Sequence, residues 1–226
     1  MTAPPRKRVS VLISGRGSNM AALVSAAIHP AYPAKIVQVI SNRADARGLE
    51  TAARAEIATR VIAQGDFDSR EAHETAIDEA LKAARTDIVC LAGYMRLLTE
   101  DFVKKWQGRM INIHPSLLPS FTGLDTHARI LATGCRIHGA TVHFVTADMD
   151  EGPIIAQAAV PVLTGDTEDA LAARVLAAEH RLYPAALNMV AGGKVRMSGG
   201  GAVFSGTNDG NGEESLFSPD PSRSGR

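Results

Sequence analysis

The sequence predicts an α/β protein whose mostly parallel, Rossmann-like sheet carries helices on both faces. Short apolar runs rich in β-branched residues alternate with segments of helical length through the first half of the chain, the pattern of βαβ units. These runs are almost continuously apolar, as expected of strands that are buried on both faces. After residue 134 the alternation stops, which predicts an antiparallel C-terminal addition to the sheet.

The N-terminal half supplies five of the expected strands and four helices. The strands are expected at residues 8–14, 35–41, 59–63, 87–93 and 109–113, and the helices at 19–29, 44–55, 69–85 and 99–106. Each helix follows a strand, so the strands are expected to run parallel.

The C-terminal half begins with two strand-like runs, 138–145 and 154–162, that have no helix between them. A long helix follows, which Asp166 or Thr167 can cap. Pro184 has no amide hydrogen and is expected to kink this helix or end its regular part. From Ser198 onward Gly, Ser, Asn, Asp and Pro predominate, which predicts a disordered tail over 198–226 after a single domain over 1–197.

Composition narrows the class of partner. The 24 Lys and Arg residues balance 24 Asp and Glu residues, so no broad electrostatic grip on nucleic acid or on a membrane surface is expected. The two cysteines match neither a disulfide framework nor a zinc pattern, and no apolar stretch reaches 18 residues. We expect a cytoplasmic protein with small-molecule substrates.

The stretch GRGSN, residues 15–19, lies between the first strand and the first helix. Glycines let a backbone approach a ligand closely, and the free amides of a helix N-terminus attract phosphate. The stretch lacks the GK[ST] end of a P-loop, and Met20 breaks the G-x-G-x-x-G pattern. An anion site and an ordinary tight turn both remain open.

Asn112 and His114 end the fifth strand, directly before Pro115. Residues i and i+2 of a strand point to one face. The two side chains could together stabilise the oxyanion of a tetrahedral intermediate. A lone histidine in a turn is the alternative.

Three further features could carry chemistry. The segment 138–155 ends in a loop with Asp148, Asp150 and Glu151, which could bring a carboxylate to a histidine or could be a polar turn. Glu179 falls within the apolar stripe of the last helix, so it must be paired, line a polar cavity or reach solvent at the edge of the stripe. A metal site made of His114, Asp125 and His127 matches no zinc spacing, and we expect no metal.

Five motifs in collinear order resemble the glycinamide ribonucleotide formyltransferase family of folate-dependent purine biosynthesis. They are GRGSN, LAGYMRLL (91–98), INIHPSLLP (111–119), HGATVHFV with DEGP (138–153), and AAEHRLYP (177–184). The resemblance implies transfer of a formyl group from 10-formyltetrahydrofolate, as co-substrate, to the primary amine of glycinamide ribonucleotide. The amine would attack directly, through a tetrahedral oxyanion intermediate.

The resemblance also implies roles for single residues. Asn112, His114 and Asp150 match the catalytic residues, and Glu179 matches a residue at the glycinamide amine end. The implied ribonucleotide-binding residues are Gly17, Ser18, Asn19, Gly93, Pro115 and Glu179. The implied folate-binding residues are Arg70, Met95, Arg96, Leu97, Leu98, Asn112, Val145, Asp148 and Asp150. The nucleotide would thus occupy the N-terminal half and the folate the C-terminal half.

The chain departs from the family pattern at three positions. Thr122 and Asp125 stand where members often have Pro and His, and Leu176 stands where some have Gln. We expect altered substrate affinity and unchanged chemistry.

Three rivals remain. Formyltetrahydrofolate hydrolase looks similar but normally has a further N-terminal domain, and methionyl-tRNA formyltransferase has a C-terminal RNA-binding domain. A non-enzymatic nucleotide-binding module would have no use for Asn112, His114 and Asp150. The sequence leaves open whether the protein forms a homodimer.

Overall fold

Seven strands form one mixed sheet in the computed structural model, which describes residues 5–206. They are β1 (Lys7–Ile13), β2 (Ala34–Ser41), β3 (Ala58–Val61), β4 (Ile88–Leu91), β5 (Met110–His114), β6 (Ile137–Phe144) and β7 (Ile154–Pro161). Their order across the sheet is β3-β2-β1-β4-β5-β6-β7. The strands β1 to β5 pair in parallel, whereas β6 and β7 are antiparallel additions. The predicted fold class is confirmed.

Six α-helices accompany the sheet within the described residues. They are α1 (Ser18–Ala27), α2 (Arg47–Arg54), α3 (Arg70–Ala83), α4 (Glu100–Lys105), α5 (Thr126–Thr133) and α6 (Glu168–Ala191). The short helix α5 was not expected. Over residues 5–206, no helix has the length and apolar character that a membrane crossing requires.

The sheet separates two apolar clusters, so helices cover both of its faces. Met20 of α1 and Val175 of α6 belong to one cluster, together with Val11 of β1. Ile77 of α3 belongs to the other, together with Leu12 of β1. Adjacent strand residues thus face opposite clusters, which explains why the strands read as unbroken apolar runs.

The start of α6 resolves which residue caps it. The Thr167 hydroxyl accepts a hydrogen bond from the amide of Ala170. Asp166 instead accepts two hydrogen bonds from Arg174, and the Arg174 guanidinium lowers the pKa of that carboxyl. The helix continues through Pro184 to Ala191, so the prediction that its regular part could end at Pro184 is wrong.

A β-hairpin follows α6 where disorder was predicted. Strands β8 (Val195–Ser198) and β9 (Gly201–Phe204) pair antiparallel, and Val195 is buried. Two glycines at positive φ, Gly199 and Gly200, make the turn. A tail disordered from residue 198 is therefore wrong for residues 198–206, and the remainder of that prediction, 207–226, lies outside the described residues.

The order of the strands places a cleft beside β1. From β1 the chain proceeds outward to β2 and β3, and then returns to the other side of β1 to form β4. Ligands of open α/β sheets bind at such a reversal, outside the carboxyl ends of the strands. The loops after β1 and β4 both lie there.

Candidate active site

Within residues 5–206, the turn after β1 presents backbone amides without a side-chain cap. Gly17 is the N-cap of α1, its φ is 70°, and no side chain caps the helix. A Cβ at Gly17 would lie 2.8 Å from Cα of Gly48, so the turn packs too closely on α2 for a larger residue. The free amides of the first helical turn and the positive end of the helix dipole suit an anion.

A cavity of about 560 Å³ opens between this turn, the loop after β4 and α6. Its size is typical of small-molecule sites. Of the predicted binding residues, Gly17, Ser18, Asn19, Gly93, Met95, Pro115 and Glu179 line it. The predicted ribonucleotide-binding residues therefore converge on one cavity, although they come from four separate parts of the sequence.

Glu179 is paired with Asn19. The Asn19 amide nitrogen donates to a Glu179 carboxylate oxygen at 2.7 Å. Burial raises the pKa of Glu179, and the hydrogen bond from Asn19 opposes that shift. The amide oxygen of Asn19 is buried and has no partner within residues 5–206. A buried acceptor without a donor points to a ligand that supplies an N–H or O–H group here.

His114 lies against Asp150. Nδ1 of the ring is 3.4 Å from a carboxylate oxygen of Asp150, and both side chains are largely buried. On the other side of the ring, Nε2 lies 2.9 Å from the carbonyl oxygen of Phe121 and donates to it. Both partners of the ring are acceptors, so only the imidazolium form can donate to both.

Asn112 faces a histidine that was not predicted. Its amide nitrogen lies 3.3 Å from Nε2 of His143, the residue directly opposite on β6. Nδ1 of His143 donates to the carbonyl of Phe144 at 2.9 Å, which leaves Nε2 as an acceptor for Asn112. Burial lowers the pKa of His143, against the opposing effects of Phe144 and Asp150, so the neutral ring is favoured.

Asn112 and His114, which the sequence predicts to stabilise an oxyanion together, each direct a donor to a neighbouring group in this conformation. One N–H of the Asn112 amide is directed to His143, and Nε2–H of His114 is directed to the carbonyl of Phe121. The second N–H of Asn112 remains available. The Nε2–H of His114 can donate to a ligand only if the segment around Phe121 shifts, or if the ligand and the Phe121 carbonyl share that hydrogen.

Two backbone features hold Asp150 in place. The amide of Gly123 donates to Asp150 at 2.8 Å, which ties the loop before α5 to the carboxylate. A Cβ at Gly152 would lie 1.7 Å from the carbonyl oxygen of Phe144, so only glycine lets the loop turn back against β6. Asp150 itself has a φ of 60°, a conformation that Asp tolerates better than most residues.

The predicted folate-binding residues form a less compact group. Met95 and Leu97 are exposed apolar side chains on the loop after β4, while Leu98 and Val145 pack against the apolar cluster beneath α3 and α4. The amide of Met95 is held by the hydroxyl of Ser14, a residue that was not predicted.

The remaining charged members of that group are Arg70, Arg96 and Asp148. Within residues 5–206, Arg70 and Arg96 have no ion-pair partner closer than 4.0 Å. The carbonyl of Asp148 accepts from the hydroxyl of Thr146. Within residues 5–206, no ion pair or side-chain hydrogen bond joins Arg70, Arg96 or Asp148 to His114 or Asp150.

Of the three positions that depart from the family pattern, Leu176 belongs to the cavity wall, and Thr122 and Asp125 lie on the loop before α5. The carbonyl of Thr122 accepts from Arg129, and Asp125 is the N-cap of α5 with a φ of 55°. Within the part of the chain that the structure describes, no group of three or more His, Cys, Asp or Glu residues is arranged to hold a metal ion.

The chain matches the formyl transferase family model over residues 7–187. It is 52% identical over 200 residues to the trifunctional purine biosynthetic protein adenosine-3 of Bos taurus. The matched region makes up 88% of this chain and 20% of that protein. It is 46% identical to the phosphoribosylglycinamide formyltransferase of Escherichia coli K12, over 84% of this chain and 89% of that enzyme. The chain thus spans about one fifth of the trifunctional relatives and most of the single-function one.

Solved structures agree with these relatives. A phosphoribosylglycinamide formyltransferase from Brucella melitensis superposes with a TM-score of 0.80 at 59% identity, over 82% of this chain and 96% of that one. A formyltetrahydrofolate deformylase from Pseudomonas putida KT2440 reaches a TM-score of 0.81 at only 27% identity, over 90% of this chain and 72% of that one. The deformylase shares the fold but is the more distant in sequence.

Proposed function

The chain belongs to the formyl transferase family, and on that premise we propose that it transfers a formyl group from 10-formyltetrahydrofolate to the primary amine of glycinamide ribonucleotide in purine biosynthesis. The observation that carries the proposal is the His114–Asp150 pair at 3.4 Å, next in the chain to a cavity that the turn after β1 also lines. Pro115 of the cavity wall directly follows His114.

In the proposed reaction, the amine nitrogen of the ribonucleotide forms a bond to the formyl carbon. The carbonyl oxygen becomes an oxyanion. The free N–H of Asn112 stabilises it, together with the Nε2–H of the His114 imidazolium once the segment around Phe121 has released that donor. The bond from the formyl carbon to the folate nitrogen then breaks, and a proton passes from the attacking nitrogen to that departing nitrogen. Asp150 assists this proton transfer, directly or through water. The proposed chemistry contains no metal step.

His143 supports this mechanism through Asn112. Because the neutral His143 ring accepts one N–H of the Asn112 amide, the amide plane is held and its other N–H keeps one direction. A donor that is already oriented costs little reorganisation when charge develops. Loss of one such oxyanion donor typically costs about 3 to 4 kcal/mol of activation free energy.

The ribonucleotide would bind along the cavity. Its phosphate suits the amides of Ser18 and Asn19 at the start of α1, and Gly93 and Pro115 line the same cavity. The Glu179 carboxylate and the unpaired Asn19 oxygen would accept hydrogen bonds from N–H or O–H groups of the substrate.

The folate would lie against the loops that follow β4 and β6. Met95 and Leu97 expose apolar surface for its rings, and the backbone of residues 96–98 and 145–150 offers hydrogen bonds to the pterin-like ring. Arg70 and Arg96 have no carboxylate partner within residues 5–206, which suits them to the glutamate carboxylates.

We also propose the cytoplasm as the location, since both cysteines of the chain are free thiols, as in a reducing compartment. The substrates are small molecules, and the proposal includes no nucleic acid partner.

A spectrophotometric assay of deformylation, with and without glycinamide ribonucleotide, tests the proposed function. We expect loss of the formyl donor only when the ribonucleotide is present. Release at the same rate without the ribonucleotide would identify a 10-formyltetrahydrofolate hydrolase instead, which the structural likeness to a deformylase makes the main alternative.

A further inference from the structure

Two histidines outside the proposed catalytic pair are in contact at the wall of the cavity. His127 on α5 lines the cavity, and His138 on β6 is fully buried. Nδ1 of His127 lies 3.1 Å from Nε2 of His138, and the ring planes are almost perpendicular. At this distance one of the two nitrogens donates a hydrogen bond to the other.

The surroundings favour the neutral form of both rings. Burial lowers the pKa of His127, against the opposing charge of Glu168, and His114 lowers it further. Burial also lowers the pKa of His138 to about 4, with smaller effects of His127 and His114 in the same direction. Each neutral ring carries one proton, on either Nδ1 or Nε2.

Two arrangements of these protons are available. In the first, Nε2–H of His138 donates to Nδ1 of His127, and His127 then carries its own proton on Nε2. In the second, Nδ1–H of His127 donates to Nε2 of His138, and the proton of His138 must then lie on Nδ1. The two arrangements differ in what His127 offers to the cavity, because its Nε2 is a donor in the first and an acceptor in the second.

The surroundings of His138 favour the first arrangement. Its Nδ1 is buried and has no hydrogen-bond partner within residues 5–206. The second arrangement would leave an N–H group there without an acceptor, and unpaired buried N–H groups are rarer in proteins than unpaired acceptors. The first arrangement also puts both protons on Nε2, the nitrogen that a free neutral histidine side chain prefers to protonate.

We propose that His127 is a substrate-binding residue that donates its Nε2–H to an oxygen of the phosphoribosyl group, and that His138 is a positioning residue that fixes this tautomer of His127. The substrate class rests on the proposed function. Nε2 of His127 makes no hydrogen bond within the described residues, and its ring shares the cavity wall with Ser18 and Glu179. Phosphate and ribose oxygens are both acceptors for a neutral N–H donor.

The tautomer is tested directly by ¹⁵N NMR of the histidine rings in the full chain. His127→Ala and His138→Gln variants assign the signals, and His29→Ala, which removes an exposed histidine remote from the cavity, is the control. We expect the proton of His127 on Nε2, and a shift of that signal on addition of glycinamide ribonucleotide. A proton on Nδ1 of His127 would overturn the inference.

The binding role is tested by the dissociation constants of glycinamide ribonucleotide and of ribose 5-phosphate, measured by calorimetry without folate. We expect His127→Ala to raise both about tenfold or more, because the acceptor oxygens are charged or strongly polar. Titration of inorganic phosphate in parallel shows whether the substitution also changes the dissociation constant of phosphate alone. An unchanged dissociation constant for both ribosyl ligands would overturn the proposal.

The positioning role is tested by comparing His138→Phe with His138→Gln. Phe removes the donor to His127, whereas Gln keeps an N–H of similar reach, so we expect Gln to restore most of the affinity and the Nε2–H signal of His127. If both variants lose affinity equally while their thermal stability is the same, the positioning role of His138 is overturned. Binding of ribose 5-phosphate that depends on His127, without any formyl transfer, would refute the proposed function and leave this inference intact.

Discussion

Asp150 connects three parts of the proposed active site through one carboxylate. One oxygen faces Nδ1 of His114 and accepts from the amide of Gly123, and the other lies 3.9 Å from His143. The neighbouring Glu151 is exposed. In the proposed mechanism the carboxylate of residue 150, and not that of residue 151, faces the His114 ring.

We predict that Asp150→Asn lowers kcat roughly a hundredfold or more, the scale of a lost electrostatic contribution to a transition state. The dissociation constant of the ribonucleotide should change little, since Asp150 does not line its cavity. Glu151→Gln removes the adjacent charge and should keep near-normal turnover. Comparable kcat values for the two variants, from steady-state kinetics, would contradict the role of Asp150.

The sequence predicted Asn112 and His114 as a pair because residues two apart in a strand share a face. It did not predict His143, although the residue is present in the quoted run HGATVHFV. The partner of Asn112 depends on the register between β5 and β6, which pairs Asn112 with His143, and register is a tertiary property.

Buried His138 also predicts how stability depends on pH. The pKa of His138 is about 4 in the folded chain and near 6.5 when unfolded, so between these values the unfolded chain binds more protons. The free energy of unfolding must then fall as the pH decreases from 6.5 toward 4. In urea titrations, the free energy of unfolding should fall less between pH 7.5 and pH 5.5 for His138→Gln than for the wild type. An equal or larger loss would show that His138 is not a source of the pH dependence.

At the level of secondary structure, α6 connects the substrate cavity to the catalytic strand. Glu179 faces the cavity, and one turn later the hydroxyl of Tyr183 lies 2.9 Å from the carbonyl oxygen of Leu91 and 3.1 Å from that of Ile111. Leu91 is the last residue of β4, and Ile111 directly precedes Asn112. The helix therefore links Glu179 in the cavity wall to the end of β4 and to the residue before Asn112.

We predict that Tyr183→Phe destabilises the fold by about 1 to 3 kcal/mol, because the buried carbonyls lose their shared donor. It should also lower kcat more than it changes the KM of the ribonucleotide. Tyr32→Phe is the matched control, since the Tyr32 hydroxyl donates to Pro184, away from the catalytic strand. Urea unfolding and steady-state kinetics of both variants provide the measurement, and an equal effect on kcat would contradict the link through Tyr183.

Helices and strands in which apolar residues recur at regular spacing were predicted well. Short elements that depend on tertiary contacts were not predicted. Helix α5 is short, and it depends on the burial of Ile130 and on Gly134, whose φ of 71° ends it. The β8–β9 hairpin contains polar residues and glycines that resemble a disordered segment in composition. Its pairing rests on contacts with the rest of the fold, such as the buried Val195.

For the molecule as a whole, the position of the cleft follows from the strand order. The βαβ pattern predicted parallel strands, and the absence of a helix between residues 145 and 154 predicted the antiparallel edge. The reversal at β1, which brings the loops after β1 and β4 together, follows from the order in which the strands pack and was not available from local sequence.

The fate of the formyl carbon is the most direct test of the proposed formyl transfer to the ribonucleotide. With a ¹³C-formyl donor, glycinamide ribonucleotide and the full chain, ¹³C NMR should show the label as a formamide carbon on the ribonucleotide, in equal amount to the donor consumed. Label recovered as formate, with the ribonucleotide amine unmodified, would contradict it.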